Sequence, residues 1–346
     1  MTEATSSKKD ILLEVKSLKK YFPIQKGLLR KTVGYVKAVD DLSFYVREGE
    51  TLGLVGESGC GKTTAGRCII RLYEPTGGEV YWESRMLTKD GSAKRVNLID
   101  MNQNQVKPIR QEISMIFQDP VNSLNPRMTV GDIIGEPMAI HGKVGPETED
   151  TIVRLLERVG MRADHMRRYP HEFSGGQRQR IGIARALSLN PRLVICDEPV
   201  SALDVSIQAQ TLNLLQALQK DFNLSYIFIA HDLSVVQHIS DRVAVMYVGK
   251  MVEMADAEEL YLHPKHPYTE SLMSAVPKPD PKYQSDRMVM QGDVADPSNP
   301  PPGCYFHPRC RYAQEICHID TPAFREIKPD HFVACHFAEQ LELKGV

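Results

Sequence analysis

The feature that most constrains the fold of this chain is a glycine-rich loop between a short apolar run and a helical stretch. The apolar run is 51–55, the helical stretch is 62–72, and the loop at 56–63 fits the pattern G-x-x-x-x-G-K-[ST]. Glycines in such a loop let backbone N–H groups curl around phosphate oxygens, and the start of the helix adds partial positive charge. The pattern therefore predicts a strand, a loop and a helix that bind a phosphate.

Two residues of this loop have distinct predicted roles. Lys62 is expected to reach the terminal phosphates of a nucleotide, and the hydroxyl of Thr63 is expected to bind Mg²⁺. The residues predicted to contact the nucleotide through the loop and the start of the helix are Gly56, Glu57, Ser58, Gly59, Cys60, Gly61, Lys62, Thr63 and Thr64.

Further apolar runs without polar alternation follow the loop, at 113–117, 193–196 and 226–230. Such runs are typical of strands that are buried on both faces, as in a parallel sheet covered by helices. Each run ends at a polar residue, and these residues are Gln118, Asp197 and His231. Because ligands of open α/β sheets bind at the carboxyl ends of the strands, these strand ends predict one nucleotide site on an α/β fold.

Other stretches have different periodicities. Residues 11–48 alternate between apolar and polar side chains, which is the period of strands with one solvated face. The stretch at about 119–190 has helical periodicity instead, with one apolar stripe formed by Ile152, Leu155, Leu156 and Val159. We therefore expect antiparallel strands before the loop and a helical insertion between two strands of the core.

An acidic pair follows the apolar run at 193–196. Asp197 is expected to hold Mg²⁺ through water, and Glu198 is placed to be the general base that polarises the attacking water. A base of this kind contributes about 10²–10⁴-fold to a rate. The alternative, two surface acids at a strand end, is disfavoured by the apolar run before the pair and by Pro199 after it.

A second set of glycines opens a predicted helix that runs to about Leu189, where Asn190 and Pro191 end it. The residues of this motif are Ser174, Gly175, Gly176 and Gln177. Ser174 would cap the helix, and the glycines would let the backbone approach a phosphate closely. The alternative is an ordinary capped helix with a basic surface.

At these motifs, taken in their order along the chain, the sequence resembles the ATP-binding-cassette (ABC) family. The resemblance implies an α/β fold with a RecA-like P-loop ATPase core, an antiparallel β subdomain, the helical insertion and a small Cys-rich C-terminal extension. It also implies hydrolysis of ATP with Mg²⁺, in which Glu198, His231 and Gln118 are catalytic. Gln118 would sense Mg²⁺ and the terminal phosphate, and His231 would contact the γ-phosphate and position the water.

In this family two ATPase subunits pair head to tail, so that each Ser-Gly-Gly-Gln signature closes over the ATP of the partner. The resemblance therefore implies that residues 174–177 contact an ATP held by another subunit, and that Asp204 belongs to a loop that joins the two sites. By the spacing of the family, Phe22 rather than Tyr21 would stack on adenine. The alternative for Phe22 is a core aromatic.

The C-terminal part of the chain resembles the corresponding region of dipeptide and oligopeptide importer ATPases. The matching segments are 266–269, 274–277, 300–310 and 334–336, and the glycine loop resembles that of the second ATPase of these importers more than that of the first. We expect an ABC ATPase domain at 11–262 and a C-terminal extension at 263–346.

The resemblance implies a subunit that hydrolyses ATP to energise peptide uptake across the cytoplasmic membrane. Its partners would be two transmembrane permease subunits, a second homologous ATPase and an extracytoplasmic peptide-binding protein. The alternatives are the ATPase of a related nickel or glutathione importer, and a soluble ABC protein without a transport role. Soluble ABC proteins usually carry coiled-coil arms or two cassettes, neither of which this sequence shows.

Cysteines crowd the C-terminal segment, with the spacing C-x₅-C-x₆-C-x₁₇-C at Cys304, Cys310, Cys317 and Cys335. Four thiolates suit either zinc or an iron–sulfur cluster. Structural zinc usually shows close C-x₂₋₄-C pairs, which this spacing lacks. Related importer ATPases carry a [4Fe–4S] cluster in this region, so the resemblance implies such a cluster; zinc and free thiols are the alternatives.

Charge and hydropathy restrict the setting in which the chain works. The net charge of −2 gives no sign of a nucleic-acid partner. No apolar run approaches the roughly 18 to 20 residues that span a bilayer, and residues 1–10 lack an apolar signal region. We therefore expect a peripheral protein on the cytoplasmic face of the membrane, whose membrane spans belong to other subunits.

Overall fold

The computed structural model describes residues 10–28, 30–276, 290 and 292–345. The proline-rich stretch that begins at Pro277 lies partly outside the described residues. The strands in the described part are, in chain order, β1 Ile11–Lys26, β2 Lys31–Arg47, β3 Thr51–Val55, β4 Gly77–Ser84, β5 Lys94–Asn97, β6 Ile113–Ile116, β7 Leu193–Asp197, β8 Ser225–Ile229, β9 Arg242–Tyr247, β10 Lys250–Asp256, β11 Arg325–Lys328 and β12 His331–Val333.

Helices connect most of these strands. They are α1 Lys62–Ile69, α2 Gln103–Ile109, α3 Val130–Ile140, α4 Thr148–Arg158, α5 Gly175–Leu187, α6 Val205–Phe222, α7 Leu233–Ile239, α8 Ala257–Leu262, α9 Pro267–Met273 and α10 Glu315–Ile319. Short 3₁₀ turns lie at Leu98–Asp100, Ala163–Arg167, Pro170–Glu172 and His307–Arg309. No helix in the described part of the chain combines the length and the apolar character that a membrane span requires.

The centre of the molecule is an eight-stranded sheet with the order β11-β12-β10-β9-β3-β8-β7-β6. The five strands from β9 to β6 are parallel to one another, whereas β10 pairs antiparallel with β9. Every residue of β3, β7 and β8 is buried, which explains why these strands are apolar without alternation. The carboxyl ends of these three strands meet at one edge of the sheet, as the sequence predicts, and the candidate site lies there.

A second sheet of four strands, in the order β2-β1-β4-β5, is antiparallel. Its longest strands, β1 and β2, account for the alternation at 11–48, since Leu13 and Val15 are buried while Glu14 between them is partly exposed. Trp82 on β4 is fully buried against this sheet, and its indole N–H donates to Glu112 at 3.0 Å. The predicted antiparallel subdomain is therefore present beside the core.

The insertion between β6 and β7 is helical and contains α3, α4 and α5. The predicted apolar stripe on α4 is buried, with Leu156 at 0 % exposure. Helix α5 ends at Leu187, two residues before the predicted end, because Asn190 adopts a positive φ of 55° and Pro191 follows it. This helical layer carries Ser174 at its edge, at the start of α5.

The C-terminal residues continue the main sheet. Strand β12 pairs with β10, with Val333 opposite Glu253, and β11 pairs with β12. The carboxylate of Glu253 is completely buried and accepts hydrogen bonds from the N–H groups of Lys265 and His266 at 2.6 and 2.9 Å. The imidazole of His331 lies 2.9 Å from the same carboxylate. These bonds anchor the extension to the edge of the ATPase core.

Candidate nucleotide site

The loop at 56–63 connects β3 to α1, as the sequence predicts. Gly56 has a φ of 147° and Gly61 a φ of 105°. A Cβ atom at Gly61 would lie 2.0 Å from the carbonyl oxygen of Ala38, and one at Gly56 would lie 2.2 Å from that of Met246. Only glycine fits these two positions, because both the backbone conformation and the space exclude a side chain.

The lysine of the loop folds back on its own backbone. The Nζ of Lys62 donates to the carbonyl oxygens of Gly56 at 2.7 Å and Glu57 at 3.1 Å, and it lies 3.6 Å from the Sγ of Cys60. The side chain of Lys62 is 5 % exposed. An ammonium group held by neutral carbonyls at the start of a helix is suited to bind an anion that replaces them.

The aspartate at the end of β7 has the environment of a cation ligand. Asp197 is 0 % exposed, its Oδ1 accepts from the hydroxyl of Thr63 at 2.6 Å, and its Oδ2 is buried without a hydrogen-bond partner. Burial raises the pKa of Asp197. The guanidinium of Arg67 is 3.8 Å from Oδ2 and offsets the buried charge only in part. A carboxylate oxygen without a donor beside a threonine hydroxyl fits Mg²⁺.

Two predicted residues, Gln118 and His231, contact one carboxylate oxygen of the third, Glu198. The Nε2 of Gln118 donates to Oε2 of Glu198 at 3.0 Å, and the Nδ1 of His231 lies 3.3 Å from the same oxygen. Glu198 itself adopts a positive φ of 46°, which is strained for a residue with a side chain. The strand ends of β6, β7 and β8 therefore bring Gln118, Glu198 and His231 into one polar cluster next to Asp197.

The signature motif lies apart from this cluster. The hydroxyl of Ser174 caps α5 by accepting from the N–H of Gln177, and the Gln177 side chain accepts from the N–H of Ser174. No hydrogen bond or ion pair in the described residues joins 174–177 to the loop at 56–63. Asp204 precedes α6 and is exposed. The single chain therefore does not bring these residues to its own phosphate loop.

The aromatic residues predicted near adenine lie on β1. Phe22 is partly buried, stands edge-on to Tyr73 at 5.7 Å, and has the ammonium of Lys20 4.9 Å from its ring. The hydroxyl of Tyr21 is instead hydrogen-bonded to the carboxylate of Asp40. Among the described residues, the side chain of Phe22 therefore makes only ring contacts, whereas the hydroxyl of Tyr21 is held by the side chain of Asp40.

Sequence reasoning missed two residues that contact the loop from the C-terminal extension. Arg309 donates to both carboxylate oxygens of Glu57, at 2.7 and 3.0 Å, and the hydroxyl of Tyr268 accepts from the N–H of Glu57 at 2.9 Å. Arg67 beside Asp197 was also missed. Arg67 lies in no nucleotide motif, so the sequence carried no signal for it. Tyr268 and Arg309 lie in segments that were matched by resemblance alone, which did not indicate a contact with the loop.

The four C-terminal cysteines line one cavity with apolar walls that include Phe306 and Phe337. The cysteines are Cys304, Cys310, Cys317 and Cys335. Burial raises the pKa of Cys310 to about 12 and that of Cys335 to about 11, so that these thiols are protonated when no ligand is bound. Within the part of the chain that the structure describes, no three His, Cys, Asp or Glu side chains are arranged to hold a metal ion. The predicted iron–sulfur site and its zinc alternative are therefore not confirmed.

Comparison with known families gives two separate matches along the chain. Residues 39–201 match the family described as ABC transporter, which includes the loop, the signature and Asp197. Residues 252–317 match the family described as oligopeptide/dipeptide transporter, C-terminal region.

Similarity to characterised sequences extends over nearly the whole chain. The oligopeptide transport ATP-binding protein AppF of Bacillus subtilis is 52% identical over 335 residues, which are 96% of this chain and 99% of the relative. The chain belongs to the ABC transporter ATPase family. A second member, the oligopeptide transport ATP-binding protein OppF of Haemophilus influenzae, is 51% identical over 95% of this chain and 98% of its own length.

Solved structures agree with this ABC ATPase in fold. A dimeric structure of MJ0796, a bacterial ABC transporter cassette, has a TM-score of 0.60 at 24% identity and covers 71% of this chain and 99% of that cassette. The structure of cbiO1 from Clostridium perfringens has a TM-score of 0.58 at 25% identity, over 73% of this chain and 91% of that one. The predicted ABC ATPase fold, with mixed parallel and antiparallel sheets, is confirmed, whereas the Cys-rich character of the extension as a metal-binding element is not.

Proposed function

We propose that this ABC ATPase hydrolyses ATP to drive the import of oligopeptides across the cytoplasmic membrane. The observation that carries the proposal is identity of about half the residues, over nearly full length, with proteins named oligopeptide transport ATP-binding proteins. The match of 252–317 to the C-terminal region of oligopeptide and dipeptide transporters supports it, since this region lies outside the ATPase core.

The catalytic roles that we propose rest on the cluster at the strand ends. Glu198 acts as the general base, because its carboxylate is oriented by Gln118 and His231 and is 16% exposed, which leaves it within reach of water. His231, with 56% of its side chain exposed and its Nδ1 3.3 Å from Glu198, contacts the γ-phosphate in this proposal. Residues 56–64 bind the phosphates, and Lys62 exchanges its carbonyl partners for phosphate oxygens.

Mg²⁺ is assigned to the oxygens at the start of α1 and the end of β7. Thr63 and Asp197 would hold it, with Gln118 nearby, because Asp197 presents a buried oxygen that lacks a donor. When bound, Mg²⁺ supplies positive charge that neutralises phosphate oxygens. The chain itself supplies the fixed carboxylate, and the hydrogen bond from Thr63 keeps that carboxylate in place without the ion.

A head-to-tail pair of ATPases completes the site in this proposal. Ser174, Gly175, Gly176 and Gln177 contact the ATP of the partner, and Asp204 joins the two sites across the interface. The support is that, among the described residues, no hydrogen bond or ion pair joins 174–177 to the chain's own loop, although they present a capped helix start suited to an anion. Mixed complexes with a damaged signature in one subunit should lose activity at the other subunit's phosphate loop.

The proposed complex contains subunits besides this chain. The ABC family implies permease subunits and a partner ATPase, and we propose two permeases, a homologous second ATPase and an extracytoplasmic peptide-binding protein. The chain would act on the cytoplasmic face of the membrane. We assign residues 11–262 to the ATPase domain and 263–346 to the extension. We also assign Phe22, whose ring is partly buried and contacts Tyr73 and Lys20, to stacking on adenine.

We also keep the [4Fe–4S] cluster as a proposal for the four cysteines. A single metal ion needs its ligands around one point, whereas a cluster binds each thiolate to a different iron atom. Convergence of Cys304, Cys310, Cys317 and Cys335 on one apolar-walled cavity therefore supports a cluster more than zinc. Such a cluster would cross-link the four cysteines and so hold the extension together. Anaerobically purified protein should contain iron and sulfide in equal amounts; zinc without iron would refute the cluster.

The proposed function is tested by purification from membranes followed by an uptake assay. The tagged chain should copurify with two membrane-spanning proteins and a second ABC ATPase. Cells that carry the variant Lys62→Ala as their only copy should lose uptake of labelled oligopeptides while still assembling the complex. Loss of nickel or glutathione uptake with normal peptide uptake would refute the peptide assignment, and the absence of membrane partners would refute a transport role.

A further inference from the structure

Glu57 is the point at which the C-terminal extension meets the phosphate loop. Its carboxylate accepts two hydrogen bonds from Arg309, at 2.7 and 3.0 Å, and its N–H donates to the hydroxyl of Tyr268 at 2.9 Å. Its carbonyl oxygen accepts from Lys62 at 3.1 Å. Every polar group of this loop residue is therefore held, and two of the three are held by the extension.

The charges at this contact matter because of where Glu57 lies. A carboxylate within a phosphate-binding loop opposes the binding of a triphosphate by electrostatic repulsion. Arg309 is 6% exposed and forms a bidentate ion pair with Glu57. A planar guanidinium suits this pairing with a carboxylate. The hydrogen bonds to Glu57 raise the pKa of Arg309, so that the arginine stays charged. The ion pair thus neutralises the one acidic side chain of the loop.

Packing holds both contact residues in place. The ring of Tyr268 is completely buried, 4.8 Å from the ring of Tyr247 and 5.3 Å from that of Phe306. Arg309 lies in the 3₁₀ turn His307–Arg309 that directly follows Phe306. A rigid aromatic cluster therefore connects the two positions, and neither side chain needs to be ordered when nucleotide binds.

We propose that Arg309 and Tyr268 are positioning residues of the ATP site, through which the C-terminal extension sets the affinity of the phosphate loop for ATP. Both act through Glu57: Arg309 cancels its charge, and Tyr268 fixes its backbone N–H. The extension would then affect ATP binding as well as contributing to the fold. The inference rests on ATP binding by the loop, as in the proposed function.

The direct test is the binding of a non-hydrolysable ATP analogue with Mg²⁺ to the purified full chain, measured by isothermal titration calorimetry. Arg309→Ala should raise the Kd by about tenfold, the size expected when a hydrogen bond to a charged group is lost. Arg309→Lys keeps the positive charge but loses the bidentate hydrogen bonds, so its Kd should lie between that of Arg309→Ala and that of wild type. Tyr268→Phe should also raise the Kd. In the assembled transporter, kcat at saturating ATP should change by less than about twofold, because a positioning defect is overcome by ligand.

A neighbouring ion pair supplies the matched control. Arg311, two residues further along, pairs with Glu270 at 3.1 Å and does not contact the loop. Arg311→Ala should leave the Kd for the analogue unchanged, even where it lowers the melting temperature as much as Arg309→Ala does. An equal rise of the Kd in Arg311→Ala would show a general effect of loosening the extension and would overturn the proposal.

A double-mutant cycle separates action through Glu57 from direct contact between Arg309 and ATP. In the background of Glu57→Gln, which has no charge to neutralise, Arg309→Ala should change the Kd by less than about twofold. A full tenfold loss in that background would overturn the proposal. If Arg309→Ala does not fold, Arg309→Lys and Tyr268→Phe carry the same test. Wild-type protein without ATP binding would overturn the proposed function as well, whereas wild-type binding with unchanged variants overturns this inference alone.

Discussion

Mild acid should loosen the C-terminal extension through one buried imidazole. His266 is 1% exposed, and burial lowers its pKa from 6.5 to about 3. Its Nδ1 accepts a hydrogen bond from the N–H of Tyr268 at 3.0 Å at the start of α9. An accepting nitrogen carries no proton, so protonation of the ring removes this cap and places a charge among apolar side chains.

The lowered pKa of His266 makes the stability of the folded chain depend on pH. Because the folded pKa lies below the unfolded value, the unfolded chain takes up a proton near pH 6.5 that the folded chain does not. The stabilisation from this group is complete above pH 6.5 and is lost as the pH falls toward 3. Each pH unit below the unfolded pKa costs about 1.4 kcal/mol, so acidification from pH 7 to pH 5 removes about 2 kcal/mol through His266 alone.

Hydrogen exchange measured by mass spectrometry is the suitable assay, since it reports local opening of peptides that cover 263–276 in the full chain. After correction for the intrinsic exchange rate, protection of this segment should fall about 30-fold more in wild type than in His266→Asn between pH 7 and pH 5. Asparagine keeps a capping acceptor and does not titrate. Each protein is compared with itself between pH 7 and pH 5. The pH-independent effect of the substitution on protection, and the titration of other groups, therefore cancel. Equal slopes for the two proteins would refute the reasoning.

Further predictions concern the loop and the strand ends. Glu198→Gln should bind ATP, hydrolyse it at least about 100-fold more slowly in the assembled complex, and trap a closed dimer; near-normal turnover would contradict the assignment. Asp197→Asn should raise the urea midpoint of the nucleotide-free protein, because burial raises the pKa of Asp197 and the charged form destabilises the fold above that pKa, and it should abolish stabilisation by Mg²⁺ with ATP. Gly61→Ala should cost at least about 3 kcal/mol in unfolding experiments, because its Cβ would strike a carbonyl, whereas Gly59→Ala, with φ 80° and nothing within 4 Å, should cost about 1 kcal/mol; similar losses would contradict this.

The parallel core was predictable because its strands are buried on both faces and interrupted by motif residues. The run at 193–196 specifies both a strand and the delivery of Asp197 to the sheet edge, since both properties follow from local sequence. The cluster of Gln118, Glu198 and His231 followed from the same reasoning, since the carboxyl ends of parallel strands lie at one edge.

Contacts between residues far apart in the sequence could not be predicted. The Arg309–Glu57 contact joins residues 252 positions apart, and no periodicity connects them. Strand β11 is four residues long and half exposed, too short for a recognisable period. The positive φ of Glu198 is imposed by the turn after β7 and opposes the local preference of glutamate. Each of these features is determined by tertiary contacts that overrule local preference.

The pairing of β12 with β10 has a consequence for how the chain tolerates shortening. Without residues 303–345, β10 would become the edge of the main sheet, with unpaired backbone groups along an apolar strand whose residues 251–255 are all buried in the intact protein. Exposed edges of this kind invite pairing between molecules. A chain that lacks residues 303–345 would therefore be prone to self-association, and in a cell it would be removed as misfolded protein instead of working as a smaller ATPase.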